Sequence, residues 1–228
     1  MLVSHNYKFI YTKTNKTAGT SVESFFERFC MPKDTWKQSY NRPETVSESG
    51  IVGFRGARRP ADCCYWNHMP ANAIRERLGD ETWEKYFKFC VVRNPYDKTV
   101  SQFYFQRRLR LEKDQRADII DLDEDRQALE SWLEGAHIAH DRDKYVIDGE
   151  FCLDDVIRFE NLQQEVNRVC DLLSIECGPA ALTSFMGGIR PAQATTESLY
   201  SEKSKQIVEE KYSFELEYFN YSFPRFGC

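Results

Sequence analysis

Residues 8–26 read KFIYTKTNKTAGTSVESFF. Phe9, Ile10 and Tyr11 form a short apolar strand. Ser21 to Arg28 follow as a helix, with Val22, Phe25, Phe26 and Phe29 near one face at helical spacing. Thr12 to Thr20 form a tight polar loop between them, with Gly19 just before the helix. Strand, small-residue loop and helix N-terminus together suit an anion. The first helix amides have no internal partner, and the helix dipole favours negative charge there. Lys16 adds a mobile positive charge, and Thr17, Thr20 and Ser21 add hydroxyl donors.

The nucleoside-triphosphate loop G-x-x-x-x-G-K-[ST] is the natural comparison, and this stretch fails it. Lys16 comes three residues before Gly19 instead of directly after a glycine, and the leading glycine is missing. An ordinary strand-to-helix turn, N-capped by Thr20 or Ser21, is an alternative account of the same residues.

The 228 residues suit one domain with a buried core. Hydrophobic content is 41% and aromatic content 14%, which argues against disorder over most of the chain. A formal net charge of −5 argues against nonspecific nucleic-acid binding. Positive charge is nevertheless clustered at Arg55, Arg58 and Arg59, and again at Arg107, Arg108 and Arg110. A locally basic cleft in an acidic protein suits a small, highly charged anion, although both runs also fit solvated faces. No apolar run approaches the roughly 18 residues of a membrane span, and no signal-peptide core precedes the first strand. The expectation is a cytoplasmic protein, or a catalytic domain cut from a longer chain. The eight cysteines show no C-x-x-C pair and no zinc spacing, and are expected to be reduced thiols.

Residues 31–62 are polar and punctuated by Pro32, Pro43, Gly50, Gly53, Gly56 and Pro60, as expected of a substrate loop or a mobile excursion. A helix is expected from Ala71 to Leu78, and Asp80 to Phe87 as a second short helical piece. His68 stands just before the first of these. Lys88 to Val92, KFCVV, reads as a strand buried on both faces. It runs into Arg93-Asn94-Pro95, where Asn94 can cap and Pro95 can open a helix reaching about Leu111. Arg93 thereby stands at a strand's C-terminal end, where ligands bind in open α/β sheets. Further helices are expected over Glu124–Ile138, Glu160–Leu173 and Ser201–Tyr218, with a short strand at Val156–Phe159. Three strand–helix units predict an α/β fold with a mostly parallel central sheet flanked by helices.

Three segments resemble the PAPS-dependent sulfotransferase family, carbohydrate-type branch (PAPS is 3′-phosphoadenosine-5′-phosphosulfate). Lys16-Thr17-Ala18-Gly19-Thr20-Ser21 resembles its 5′-phosphosulfate loop. Phe89-Cys90-Val91-Val92-Arg93-Asn94-Pro95-Tyr96-Asp97-Lys98, through Ser101, resembles its 3′-phosphate motif. Ile157-Arg158-Phe159-Glu160-Asn161-Leu162 resembles its later R-[FY]-E-[ND]-L segment. The likeness runs from about Lys8 to Phe223.

It implies a single sulfotransferase domain over residues 1–228, with a fold like that of the P-loop nucleotide kinases. It also implies PAPS as donor, PAP as the released product, no metal, and a saccharide or small-molecule acceptor carrying a hydroxyl or amine. The resemblance assigns the 3′-phosphate to Arg93 and Ser101, and adds Arg190 by position in the 178–200 loop and Lys13 by nearness to the anion loop. His68 is the candidate general base and Lys16 the charge that meets the leaving oxygen. A histidine capping a helix is the structural alternative for His68. His137-x-x-His140-Asp141 puts two histidines on one helix face with no further cluster beside them, and is taken as surface chemistry. Two competing functions remain: a P-loop-type kinase using ATP and magnesium, and a non-catalytic nucleotide-binding module. Neither the acceptor nor the oligomeric state is legible. Trp36, Tyr40, Tyr65 and Trp66 are candidates to stack on a sugar or to fill the core.

Overall fold

The computed structural model describes residues 1–113, 121–135, 138, 140–176, 182–183, 185 and 188–224. In chain order the principal elements are β1 (Leu2–Ser4), β2 (Phe9–Tyr11), α1 (Gly19–Glu27), β3 (Thr45–Ser47), β4 (Gly50–Val52), α2 (Ala71–Leu78), α3 (Asp80–Lys85) and β5 (Phe87–Val92). They continue with α4 (Pro95–Lys113), α5 (Leu122–Gly135), β6 (Val146–Ile147), β7 (Glu150–Phe151), β8 (Asp155–Arg158), α6 (Leu162–Leu172), α7 (Thr196–Leu199), α8 (Glu202–Lys211) and α9 (Ser213–Tyr218). The chain divides into two compact units, Met1–Val92 with Asp141–Phe185, and Arg93–His140 with Met186–Cys228.

The first unit is built on a six-stranded sheet in the order β3-β4-β1-β2-β5-β8. The expected α/β character holds, but the sheet is mixed. β2–β5 and β5–β8 are parallel, while β1–β2, β1–β4 and β3–β4 are antiparallel. The expectation of a mostly parallel sheet missed the half built from β1, β3 and β4. Each has three residues, too few to show a period of two against the surrounding loops. Two of them occupy the stretch expected to be irregular. Gly50 lets β4 lie close against β1, since a Cβ there would lie 2.1 Å from the Val3 carbonyl oxygen.

The parallel half follows from composition. β5 is buried at Lys88 to Val92, flanked by β2 and β8, as a strand covered on both faces must be. One apolar cluster joins Phe9, Tyr11, Val22, Phe26, Phe89, Val91, Ile157 and Val169. Phe26 is its hub, with ring centroids 5.6 Å from Phe9 and 5.1 Å from both Phe25 and Phe89. The long helix expected after Glu160 begins two residues later, because a 3-10 turn at Phe159–Asn161 precedes α6.

The second unit is helical, with its own apolar cluster that includes Val100, Phe103, Leu129, Leu133, Leu199, Val208 and Tyr212. Asn94 caps α4, its side-chain oxygen accepting from the Tyr96 amide at 3.1 Å. The single helix expected from Ser201 is two, broken at Tyr212.

Five cysteines, Cys30, Cys63, Cys64, Cys90 and Cys152, are thiols outside any disulfide. Cys170 is disulfide-bonded, which corrects the expectation of eight reduced thiols. Cys177 and Cys228 lie outside the described residues.

Phe26→Ala should cost about 3–5 kcal/mol, because it removes the ring on which Phe9, Phe25, Phe29 and Phe89 meet. A lowered denaturant midpoint with an unchanged slope is the expected result.

Candidate active site

The loop between β2 and α1 is tied down residue by residue. The Thr12 amide donates to the Phe89 carbonyl at 3.0 Å, fastening the loop to β5. The Thr14 hydroxyl donates to the Val91 carbonyl at 2.5 Å and meets the Thr17 hydroxyl at 2.8 Å. The Asn15 amide donates to the buried carboxylate of Asp141. Beyond this point the backbone turns left-handed twice without glycine, at Lys16 (φ 58) and Ala18 (φ 55). Ala18 is the N-cap of α1, and its carbonyl accepts from the Ser21 and Val22 amides.

That geometry leaves a run of donors unused. The amides of Thr17, Ala18, Gly19 and Thr20 donate to no group among the described residues. A left-handed residue leading into a right-handed helix makes a concave nest of such amides, suited to an anion. Ala18 takes the N-cap position that the ordinary-turn account gave to Thr20 or Ser21, and no side chain caps the helix.

Lys13 lies beneath the loop. It is 2% exposed, and its Nζ is 2.7 Å from Glu23 Oε2 and 3.1 Å from Thr20 Oγ1. Gly19 leaves it room, since a Cβ there would fall 2.9 Å from Lys13 Cε. Lys13 was expected as a direct contact. Here its ammonium is committed to Glu23 and to the Thr20 hydroxyl, whose own hydrogen is left to point elsewhere.

Glu23 has no exposed surface. Lys13 and Arg55 approach its Oε2 at 2.7 and 2.8 Å; the Met1 amino group and Arg42 approach Oε1 at 3.1 and 2.9 Å. Arg42 and Arg55 also meet Glu27. Arg42 makes these contacts as ion pairs without hydrogen-bond alignment. Burial works against the Glu23 charge, but the four cations outweigh it and hold the carboxyl well below its usual range. Burial lowers the Lys13 ammonium to about 8 against the pull of Glu23, so the pair is ionic at neutral pH.

His68 reaches the same loop. Its φ is 55, and its Nδ1 lies 3.1 Å from the Lys13 carbonyl oxygen. A carbonyl only accepts, so the proton sits on Nδ1 and the lone pair on Nε2. Burial, and secondarily the Lys13 charge, lower His68 to about 4, against the carboxylates of Glu23 and Asp141. At neutral pH it is an imidazole able to take a proton.

The second unit carries another cationic set. Arg93 donates from Nε to Asp97 Oδ2 at 2.7 Å, and Arg190 donates to the other oxygen, Oδ1. Thr196 Oγ1 also donates to Oδ1, at 3.0 Å. Burial raises the Asp97 carboxyl, but Arg93 and Arg190 together bring it below its ordinary value. Asp97 thus brings together two arginines that lie 97 positions apart. Ser101 follows Asp97 by four residues on α4 and shares its face. Asn94 lines a hollow of about 610 Å³ with residues 220–224.

Residues 1–222 match the profile of the Sulfotransferase family. The chain belongs to that family. Its members transfer sulfuryl groups, and they include carbohydrate sulfotransferases. No curated protein and no solved structure matches the chain. Among the described residues of this sulfotransferase no helix is long and apolar enough to cross a membrane, and no group of three His, Cys, Asp or Glu is placed to hold a metal.

Three acids of the site went unassigned in the sequence. Asp97 stood inside the quoted motif, four residues after Arg93, a spacing that signals an ion pair. Glu23 was visible as a charge among the apolar residues of α1. Asp141 carried no local signal, and the surface role given it fails, since it is 1% exposed. His137 lies outside the described residues, while the His140 ring sits 5.3 Å from Tyr212. Of the aromatic candidates, Trp36 donates to Glu27 at 2.9 Å, and Trp66 carries Arg59 at 4.2 Å and Arg77 at 5.3 Å.

Glu23→Gln should destabilise the protein by about 3–5 kcal/mol, since it strands buried cations; chemical denaturation measures it. His68 should remain neutral until about pH 4 in an NMR titration. Its folded pKa lies below the unfolded value, so the unfolded chain binds the extra proton between the two. The His68 contribution to stability is therefore whole above about pH 6.5 and declines as pH falls toward 4. Comparing wild type with His68→Gln across that window isolates it.

Proposed function

We propose that the protein transfers the sulfuryl group of PAPS to a hydroxyl or amine of a saccharide or small-molecule acceptor, without a metal ion. The single observation that carries this is the nest of four undonated amides, Thr17 to Thr20, beside Lys16. In this reading Lys16, the nest, and the Thr17, Thr20 and Ser21 hydroxyls hold the 5′-phosphosulfate end. Arg93, Ser101 and Arg190 take the 3′-phosphate, and Lys13 acts through Thr20. Planar guanidinium groups suit a terminal phosphate, and Asp97 keeps two of them oriented for it.

PAPS supplies, when bound, a sulfuryl group on a phosphate leaving group. His68 Nε2 accepts the acceptor's proton as the new S–O or S–N bond forms. Lys16 and the loop amides meet the charge that grows on the phosphate oxygen as the old S–O bond breaks. The low His68 pKa keeps the base unprotonated, and nearby donor anions would raise its basicity in the complex. The acceptor class, PAPS dependence and the histidine's role rest on the family likeness and on this geometry. A magnesium-dependent kinase is the weaker reading, because Lys16 precedes Gly19 and β5 runs into Arg93 where a buried aspartate would be needed.

Lys16→Ala and His68→Ala should each lower kcat by about 10²–10⁴-fold with labelled PAPS and an acceptor panel. Arg93→Ala should chiefly raise KM for PAPS, and EDTA should leave turnover intact. Calorimetry should show PAP bound in clear preference to adenosine monophosphate; equal affinities would sink the proposal. The acid limb of kcat/KM should fall near pH 4, with that of kcat displaced upward.

A further inference from the structure

Asp141 presents an apparent contradiction, because a buried carboxylate faces a loop suited to anions. Both of its oxygens accept from the Asn15 amide at 3.0 Å, and Oδ1 also accepts from the Asn15 side-chain amide at 2.6 Å. A negative charge here opposes any phosphate in the nest, and it takes one backbone donor away from it. Repulsion alone would make Asp141 a burden on the loop.

We infer that Asp141 is a positioning residue, one that fixes Asn15 so that Lys16 and the amides after it are held in their anion-binding conformation. The inference rests on the donor-binding role proposed for that loop. Lys16 and Ala18 adopt left-handed backbone without being glycine, a conformation that persists only where the surroundings enforce it. On the α1 side, enforcement comes from the helix itself. On the strand side, Thr12 and Thr14 are tied to β5, and Asn15 is the last residue held before the backbone inverts at Lys16. Asp141 supplies that last hold through main chain and side chain together. Its own place is secured, since its carbonyl accepts from the Lys144 amide at 2.8 Å and opens a 3-10 turn at Arg142–Lys144.

Positioning and repulsion predict opposite signs. The test measures PAP affinity by calorimetry, with KM for PAPS, kcat and the unfolding midpoint, for wild type, Asp141→Ala and Asp141→Asn. Under the inference Asp141→Ala weakens PAP binding by about tenfold or more, the loss expected for hydrogen bonds to a charged group. It raises KM more than it lowers kcat. Asp141→Asn keeps an oxygen for the Asn15 amide and recovers most of the affinity. Tighter or unchanged PAP binding in Asp141→Ala overturns the inference. Should that variant not fold, Asn15→Ala, which loses only the side-chain bond, is expected to weaken PAP about threefold, and no change overturns it. Amide exchange reads the loop with no nucleotide present. Faster exchange at Asn15 and Lys16 in Asp141→Ala is expected, and unaltered exchange in that variant overturns the inference. A wild type that does not prefer PAP to adenosine monophosphate defeats the donor reading instead, a failure visible before any Asp141 variant is compared.

Discussion

A single carboxylate with no solvent contact, Glu23, organises the ground beneath the site. Lys13 from the loop, Arg42, and Arg55 just past β4 all converge on it. A charge so placed is tolerable only because it is surrounded, and the surrounding groups are tolerable only because it is there. The cluster therefore fixes helix, loop and hairpin relative to each other.

The two cationic regions use different physics. The loop offers backbone amides, held outward by left-handed residues, with Thr20 oriented by a buried ammonium. The second unit offers guanidinium groups, held in place by the carboxylate they share. Amides approach closely and carry no titratable proton, whereas guanidinium forks are planar and always charged. On the proposed reading the first would meet charge that develops during transfer, and the second would hold a group that does not react.

Much of this was legible in the chain. β2, α1 and β5 are densely apolar and α4 opens on the capping Asn94, and each lies within two residues of its expected position. The loop was recognisable because its chemistry is local, from Lys16 to Ser21. The antiparallel half of the sheet was not, since three-residue strands gain their identity from partners far along the chain. The same holds inside the site. Arg93 and Ser101 sit in one motif, while Asp141 reaches Asn15 across 126 positions and His68 reaches Lys13 across 55. Lys13 was judged by its nearness to the loop, and sequence cannot tell a side chain pointing up from one pointing down.

The first unit is interrupted: it leaves off at Val92 and resumes at Asp141. β5 is complete at Val92, yet its neighbour β8 begins only at Asp155. During translation the whole of the second unit's first half must emerge before that edge can be paired. A strand of phenylalanine, cysteine and valine with a single lysine therefore waits on the ribosome with one rim bare. Any hazard of misassociation belongs to that interval, and it vanishes from the finished molecule.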